Sequence, residues 1–383
     1  MILTILLSSV DNNMPLSLQS STPMESKSQQ VVDKPQRIST PAEIQLWALL
    51  AAPEHPGDLV RFLVQQVGAS RQTVNKHIRR LVNDGLLIAE GKTRARRYSL
   101  RTLLTERQQL DVTPDLEEDR VWREFMIPKF RDMTKNVTSI CHYGFTEMVN
   151  NVISHSESNS LSIGISVDMR DVDFFVRDFG VGIFEKIQRE FKLEDPRHAL
   201  LELSKGRLTT DPKHHSGEGI YFSSRIFNEF SIWSGNLFFR RTLRDDSQWL
   251  VETEDRKHLK GTMVSMKLLR WTKRELQDVL GEAASGKEEF RFSRTHVPIS
   301  LVKYGEENLV SRSQAKRLLA RFERFKEILL DFTGVDTIGQ AFADEIFRVY
   351  RASHPEIRIV SVNTSKQVQQ MIRRVSDEAA KGS

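Results

Sequence analysis

The stretch Phe174 to Ile183, Phe-Phe-Val-Arg-Asp-Phe-Gly-Val-Gly-Ile, constrains this 383-residue chain more than any other. Its β-branched and aromatic residues predict a strand. The strand runs into Asp178, then Gly180 and Gly182, where the backbone can turn sharply and come close to a ligand. The Asp178 carboxylate can accept a hydrogen bond from an exocyclic amine. Two further stretches call for the same surroundings. Glu147, Asn151 and His155 recur every fourth residue, which stacks them on one stripe of a predicted helix. Met148, Val149, Val152 and Ile153 are left to pack around it. A carboxylate, an amide and an imidazole on one stripe are costly to bury for structure alone. His214-His-Ser-Gly217-Glu-Gly219-Ile220 leads into an apolar-periodic helix predicted over Tyr221 to Phe230. A glycine-rich loop that opens a helix offers free backbone amides to phosphate. Lys260-Gly261-Thr262 begins a predicted late strand.

In this order and context, the four motifs resemble the GHKL ATPases, among them the gyrase-type and histidine-kinase ATP-binding domains. The resemblance covers about residues 120–270. It implies an α/β sandwich with a mixed sheet on one side and ATP held among the helices. Carried over, Asn151 is the side chain that ligates Mg²⁺, a cation that demands hard oxygen ligands. Glu147 is the general base or orients the nucleophile, and His155 follows one turn on. Asp178 reads adenine, Gly180 and Gly182 shape the pocket, Gly217 and Gly219 form the phosphate loop, and Thr262 lies near the adenine. A lid is implied over 185–215, with Lys205, Arg207 and Lys213 reaching toward phosphates. His142 lacks the acidic and proline context of a phospho-acceptor histidine. The closer analogy is therefore the single-domain kinases that act as anti-sigma factors.

Charge singles out a second region. Residues 38–104 hold ten Lys/Arg against five Asp/Glu, so the whole net charge of +5 lies there. Ser70 to Arg101 alone carries nine basic residues against Asp84 and Glu90. Such a concentration is the electrostatic footprint of a nucleic-acid contact. Thr40, Pro41 and Glu43 form a helix-start signature. Leu59, Phe62, Leu63 and Val67 fit a next helix, which Gly68 breaks. Ser70 then opens a helix whose buried face is Val74, Ile78 and Leu81. After Gly85, a hairpin with a basic tip is predicted. This stretch resembles the winged helix-turn-helix family. The resemblance implies that Ser70, Arg71, Gln72, Thr73, Asn75, Lys76 and Arg79 meet the major groove of double-stranded DNA. Lys92, Arg94, Arg96 and Arg97 would lie on phosphates or in the minor groove. A winged helix used only for protein contact or dimerisation is the alternative.

Residues 327–349, with Ile328 to Phe332 as a strand and Phe342, Ile346 and Phe347 on the inner face of a helix, resemble STAS domains, the fold of anti-sigma-factor antagonists. They are closer still to a STAS-like domain of unknown function found beside GHKL domains. That resemblance covers about 290–376 and implies a docking or regulatory role. The phosphorylatable serine of the antagonists is missing at Ile338-Gly339-Gln340-Ala341, and Thr337 is offset.

The expected fold is multidomain α+β. It comprises a disordered leader (1–37), a winged helix-turn-helix (38–104), a linker (105–120), a GHKL α/β sandwich (121–280), a second linker (281–289), a STAS-like α/β domain (290–376) and a tail (377–383). The expected cofactors are ATP and Mg²⁺. The function implied is an ATP-responsive, DNA-binding signalling regulator. Two other readings stay open: a kinase phosphorylating a separate antagonist or sigma-factor-like partner, and an ATP-driven clamp or scaffold. Both the winged-helix and GHKL families often form homodimers. The lone cysteine, Cys141, excludes an intrachain disulfide and a cysteine-based zinc site, and fits a cytoplasmic setting. No apolar run approaches the roughly 20 residues of a membrane span. Met1 to Val10 is apolar but short, with no basic residue ahead of it, unlike a secretory signal.

Overall fold

A computed structural model describes residues 40–206, 217–243, 248–252, 258–277, 294–302 and 308–381. The expected leader, the 281–289 linker and residues 207–215 of the expected lid lie outside the described residues. The molecule is mixed α+β, with three hydrophobic clusters and three sheets.

The N-terminal cluster forms around three helices, α1 (Pro41–Ala51), α2 (Leu59–Val67) and α3 (Arg71–Asn83). At the start of α1, the Thr40 hydroxyl accepts from the Glu43 amide at 3.3 Å, and the Glu43 carboxylate accepts from the Thr40 amide at 3.1 Å. This reciprocal cap satisfies two otherwise unpaired donors. Gly68 ends α2 in the left-handed conformation, φ 64°. The strands β1 (Leu87–Glu90) and β2 (Arg97–Leu100) pair antiparallel as a hairpin behind α3.

The expected linker over 105–120 is overturned. Leu104–Asp111 is a strand, β3, paired antiparallel along its whole length with β4 (Ser160–Val167). Residues 105–109 are exposed, because an edge strand keeps water on one side, and that polar composition is what reads as a linker. Leu104 and Leu110 pack against the central core. A helical turn, Glu118–Val121, continues to Met126 and brings Val121, Trp122, Phe125 and Met126 into the same core.

The central sheet has the order β3-β4-β5-β9-β6-β7-β8, with β5 (Asp171–Asp178), β6 (Glu229–Gly235), β7 (Leu237–Thr242), β8 (Gln248–Glu252) and β9 (Leu259–Leu269). Every pairing is antiparallel, so the expected mixed sheet is also corrected. Neighbours joined by hairpins must run antiparallel, and β9 returns between β5 and β6 against both. Alternate residues of β5, β6 and β9, among them Phe174, Phe230 and Met266, are buried beneath helices on one face. That face is covered by α4 (Lys135–His155), α5 (Ile183–Phe191) and α7 (Gly219–Ile226). The helix predicted to reach Phe230 stops at Ile226, because Asn228 turns the chain. Its side-chain oxygen accepts the Leu269 amide at 2.9 Å and starts β6 beside β9. Gly144 brings α4 close to α7. A Cβ there would lie 2.4 Å from the Phe227 ring.

The N-terminal module sits at the β4–β5 hairpin. Met169 and Trp271 are buried in its core. Arg170 donates to the Leu50 carbonyl at 3.0 Å and to the Glu54 carboxylate at 3.2 Å. Asp178 is at the other end of β5, roughly 25 Å away for a strand of this length.

The C-terminal sheet is parallel, β10 (Arg294–Pro298), β11 (Glu327–Asp331) and β12 (Arg358–Val362). Around it pack α8 (Arg312–Leu319), α9 (Gln340–Asp344, helical on to Ser353) and α10 (Lys366–Lys381). Phe342, Ile346 and Phe347 point inward. The tail expected from 377 instead continues α10 as far as Lys381. Between the central and C-terminal units lies α6 (His198–Lys205), packed on both α5 and β10. Among the described residues, no helix is long and apolar enough to cross a membrane.

Backbone pairing makes the corrected strand testable. Hydrogen exchange should find alternate amides of 104–111 protected to the level of β4. Uniform fast exchange across 104–111 would restore the linker.

Candidate functional site

The sequence motifs converge because three backbone segments meet without side chains between them. A Cβ on Gly180 would lie 1.8 Å from the Ser156 carbonyl at the end of α4. One on Gly261 would lie 2.3 Å from the Asp178 carbonyl. Gly182 and Gly261 also have φ of 84° and 80°, which glycine adopts without strain. The Val181 amide donates to the Ser156 carbonyl at 3.0 Å, locking the turn to the helix.

This contact opens a cavity of about 290 Å³, near the lower end of the roughly 300–1,000 Å³ of small-molecule pockets. Glu147, Asn151, His155, Asp178, Gly182, Gly217, Gly219 and Thr262 all line it. Gly180 does not line it but builds the turn beneath it. Asp178 is 5% exposed, and its Oδ1 accepts the Gly180 amide at 2.9 Å. Burial raises its pKa, opposed by the hydrogen bonds from Gly180 and Thr262. The Thr262 hydroxyl accepts the Ile183 amide at 2.9 Å, and Ser234 donates to the Gly261 carbonyl at 2.9 Å.

Glu147 faces the cavity from α4. Burial raises its pKa, and the Glu218 and Glu118 carboxylates push it further up. A Cβ on Gly219 would lie 2.1 Å from the Glu147 carboxylate, so this position must be glycine for Glu147 to stay in place. Among the described residues, no N-cap side chain bonds the start of α7, and the amides of its first turn lie at the Gly217–Gly219 side of the cavity. Asn151 turns its amide nitrogen to the Met148 sulfur at 3.9 Å, which leaves its carbonyl oxygen as the hard donor. Among the described residues, no group of three His, Cys, Asp or Glu could hold a metal. The Asn151 oxygen is a hard donor of the kind that magnesium takes.

Lys205 departs from expectation. It is 2% exposed and does not line the cavity. Its ammonium donates to Glu202 at 2.7 Å and to the Ala320 carbonyl of the C-terminal module at 2.8 Å. Burial lowers its pKa, and Glu202 opposes that shift. A buried ammonium persists only where paired, and its pairing points away from the cavity. Among the described residues, the lysine that does line the cavity is Lys186, which the motifs missed. Its ammonium donates to the His155 carbonyl at 2.6 Å and to Glu157 at 3.3 Å. Its place one helical turn after Gly182, between the buried Phe184 and Ile187, is the signal that could have found it. Phe191 also lines the cavity.

At the N-terminal module, Val74, His77, Ile78 and Leu81 bury one side of α3. Arg71, Gln72, Lys76 and Arg79 are exposed on the other, and Asn75 is half-buried. Ser70 and Thr73 are exposed but engaged with each other. The Ser70 hydroxyl caps the Thr73 amide at 3.2 Å. At the β1–β2 hairpin, Lys92, Arg96 and Arg97 are exposed, while the Arg94 side chain lies outside the described residues.

Residues 314–369 match the family described as a STAS-like domain of unknown function (DUF4325). The match runs from α8 through β11, α9 and β12 into α10. No curated protein matches the chain. Within the matched region, Asp331 ends β11 and accepts from the Thr333 amide at 2.9 Å and from the Asn363 side chain at 3.0 Å.

The Glu147 environment has a consequence for stability. A carboxyl whose pKa is raised by folding binds its proton more tightly when folded. Stability is therefore lost as pH rises through the ordinary carboxylate range toward the raised value. Glu147→Gln should raise Tm at pH 8 by a few degrees, with the gain shrinking as pH falls and vanishing below about pH 3.5, where both states are largely protonated. Calorimetry across that range checks it.

Proposed function

We propose that the chain is a nucleotide-controlled DNA-binding regulator in which ATP with Mg²⁺ binds the cavity between α4, α5 and α7. The observation that carries this reading is the convergence of residues from four separate sequence motifs on one cavity. Asp178, at the floor, accepts from the adenine amine. The uncapped start of α7 and Gly217 take the phosphates. The Asn151 oxygen would help to hold the magnesium ion, which would supply charge neutralisation on the phosphate oxygens. Glu147, desolvated at the cavity wall and raised in pKa, is suited to accept a proton from an attacking nucleophile. The sequence resemblance to GHKL ATPases supports the same assignments. The exposed basic face of α3 and the wing support double-stranded DNA as the second ligand.

The position of Glu147 also favours a second reading, phosphoryl transfer to a separate partner protein. Radiolabelled ATP incubated with candidate partners separates the two readings, because only the second yields labelled partner.

Asp178→Asn replaces an acceptor with a group that can also donate. It should weaken ATP binding by tenfold or more, since hydrogen bonds to charged groups carry about 1.5–3 kcal/mol. Titration calorimetry checks it, and unchanged affinity would remove Asp178 from the site. Arg79→Ala should weaken DNA binding in a gel shift and lower the salt dependence by about one counterion. If saturating ATP leaves the wild-type shift unmoved, the regulatory link is wrong.

A further inference from the structure

We infer that Arg321 of the C-terminal module is a positioning residue for the cavity of the central domain, so that ligand affinity there depends on the docked C-terminal module. This rests on the nucleotide reading above and adds to it a residue from a different unit of the chain.

The link is α6 and its neighbours. Leu201 is buried in the C-terminal core, while Leu203, two residues on, lines the cavity. Arg321 does two things at once. Its guanidinium donates to Glu202 Oε2 at 2.6 Å and lies 4.2 Å from the centre of the Phe191 ring. Phe191 is the last residue of α5 and lines the cavity. Lys205 takes the other Glu202 oxygen and anchors to carbonyls at the end of α8. Glu202 therefore sits between two cations, one inside its own helix and one from the other module. Its own exposure is 5%, so neither pairing is screened as a surface pair would be.

The backbone at Arg321 adds to this. Its φ is 64°, a left-handed conformation that glycine would take without strain. Arginine there orients the side chain back across α6 to Phe191. A cation over a ring face is drawn to that ring, so Arg321 helps to hold Phe191 where it lines the cavity. Thr295 and Arg225 complete the same interface. The Thr295 hydroxyl donates to the Lys205 carbonyl at 2.7 Å, and Arg225 of α7 donates to the His296 carbonyl at 3.2 Å. Both helices that bound the cavity on this side are thus tied to the edge strand β10.

The test uses the full chain and a fluorescent ATP analogue with Mg²⁺. Arg321→Ala removes the ring contact and the pair, and should weaken binding about tenfold. Arg321→Lys keeps a charge for Glu202 but loses the guanidinium over Phe191, and should bind with intermediate affinity. Coupling is reciprocal, so ATP should increase hydrogen-exchange protection of α8 in the wild type. Helix α8 does not line the cavity. Circular dichroism reports whether each variant is folded. If Arg321→Ala fails to fold, Arg321→Lys and the α8 protection still decide. A folded Arg321→Ala with wild-type affinity, or ATP-independent exchange in α8 of a wild type that binds, would overturn the role of Arg321 alone. No binding by the wild type would overturn the nucleotide reading and this inference with it.

Discussion

The contact on which the rest of the central domain depends is that between Gly180 and the last turn of α4. There the backbone of one segment lies directly against the carbonyl of another, 1.8 Å from where a side chain would begin. Gly261 makes the equivalent approach from β9 to Asp178. These two contacts draw together a strand end, a helix end and a second strand. They set the height of Asp178 beneath Glu147 and Asn151. Hydrophobic burial holds the sheet and helices together, but it is indifferent to a shift of an ångström or two. The glycine contacts supply the register that packing leaves open.

The two flanking modules attach at different places on the central sheet. The N-terminal module takes the β4–β5 hairpin through Arg170, Met169 and Trp271. The C-terminal module takes α6 and α7 at the rim of the cavity. A signal passing from the cavity to the exposed basic side of α3 would have to travel the length of β5. One passing to the C-terminal module has only the α6 and α7 contacts to cross, the buried Glu202 among them.

The legible parts of the sequence were those where local chemistry decides geometry. Thr40 with Glu43, Gly68 and Ser70 mark their caps without help from the rest of the chain. The Glu147, Asn151 and His155 stripe needs only the period of a helix. The edge strand 104–111 was not legible, because its partner lies about 55 residues away and its exposed face carries the polar residues of a linker. The antiparallel character of the sheet was hidden for a related reason. The insertion of β9 between β5 and β6 is a long-range fact that no window of sequence contains. Lys205 misled because a lysine beside a glycine in an expected lid reads as a phosphate ligand. Only the position of Glu202, Ala320 and Phe322 shows where its charge is spent.

Helix α6 has a last consequence, in how this chain could be cut or recombined. By sequence it belongs to the central domain, about ninety residues ahead of the C-terminal strand β10. By packing it belongs to both, since Leu201 is buried in one core and Leu203 lines the cavity of the other. A breakpoint placed just ahead of β10 would strand Leu201 in water and leave Lys205 without the Ala320 carbonyl. The inheritable unit is therefore not the stretch from β10 onward. It is that stretch together with a surface complementary to α6, so a C-terminal module exchanged between chains must carry its own match to Glu202.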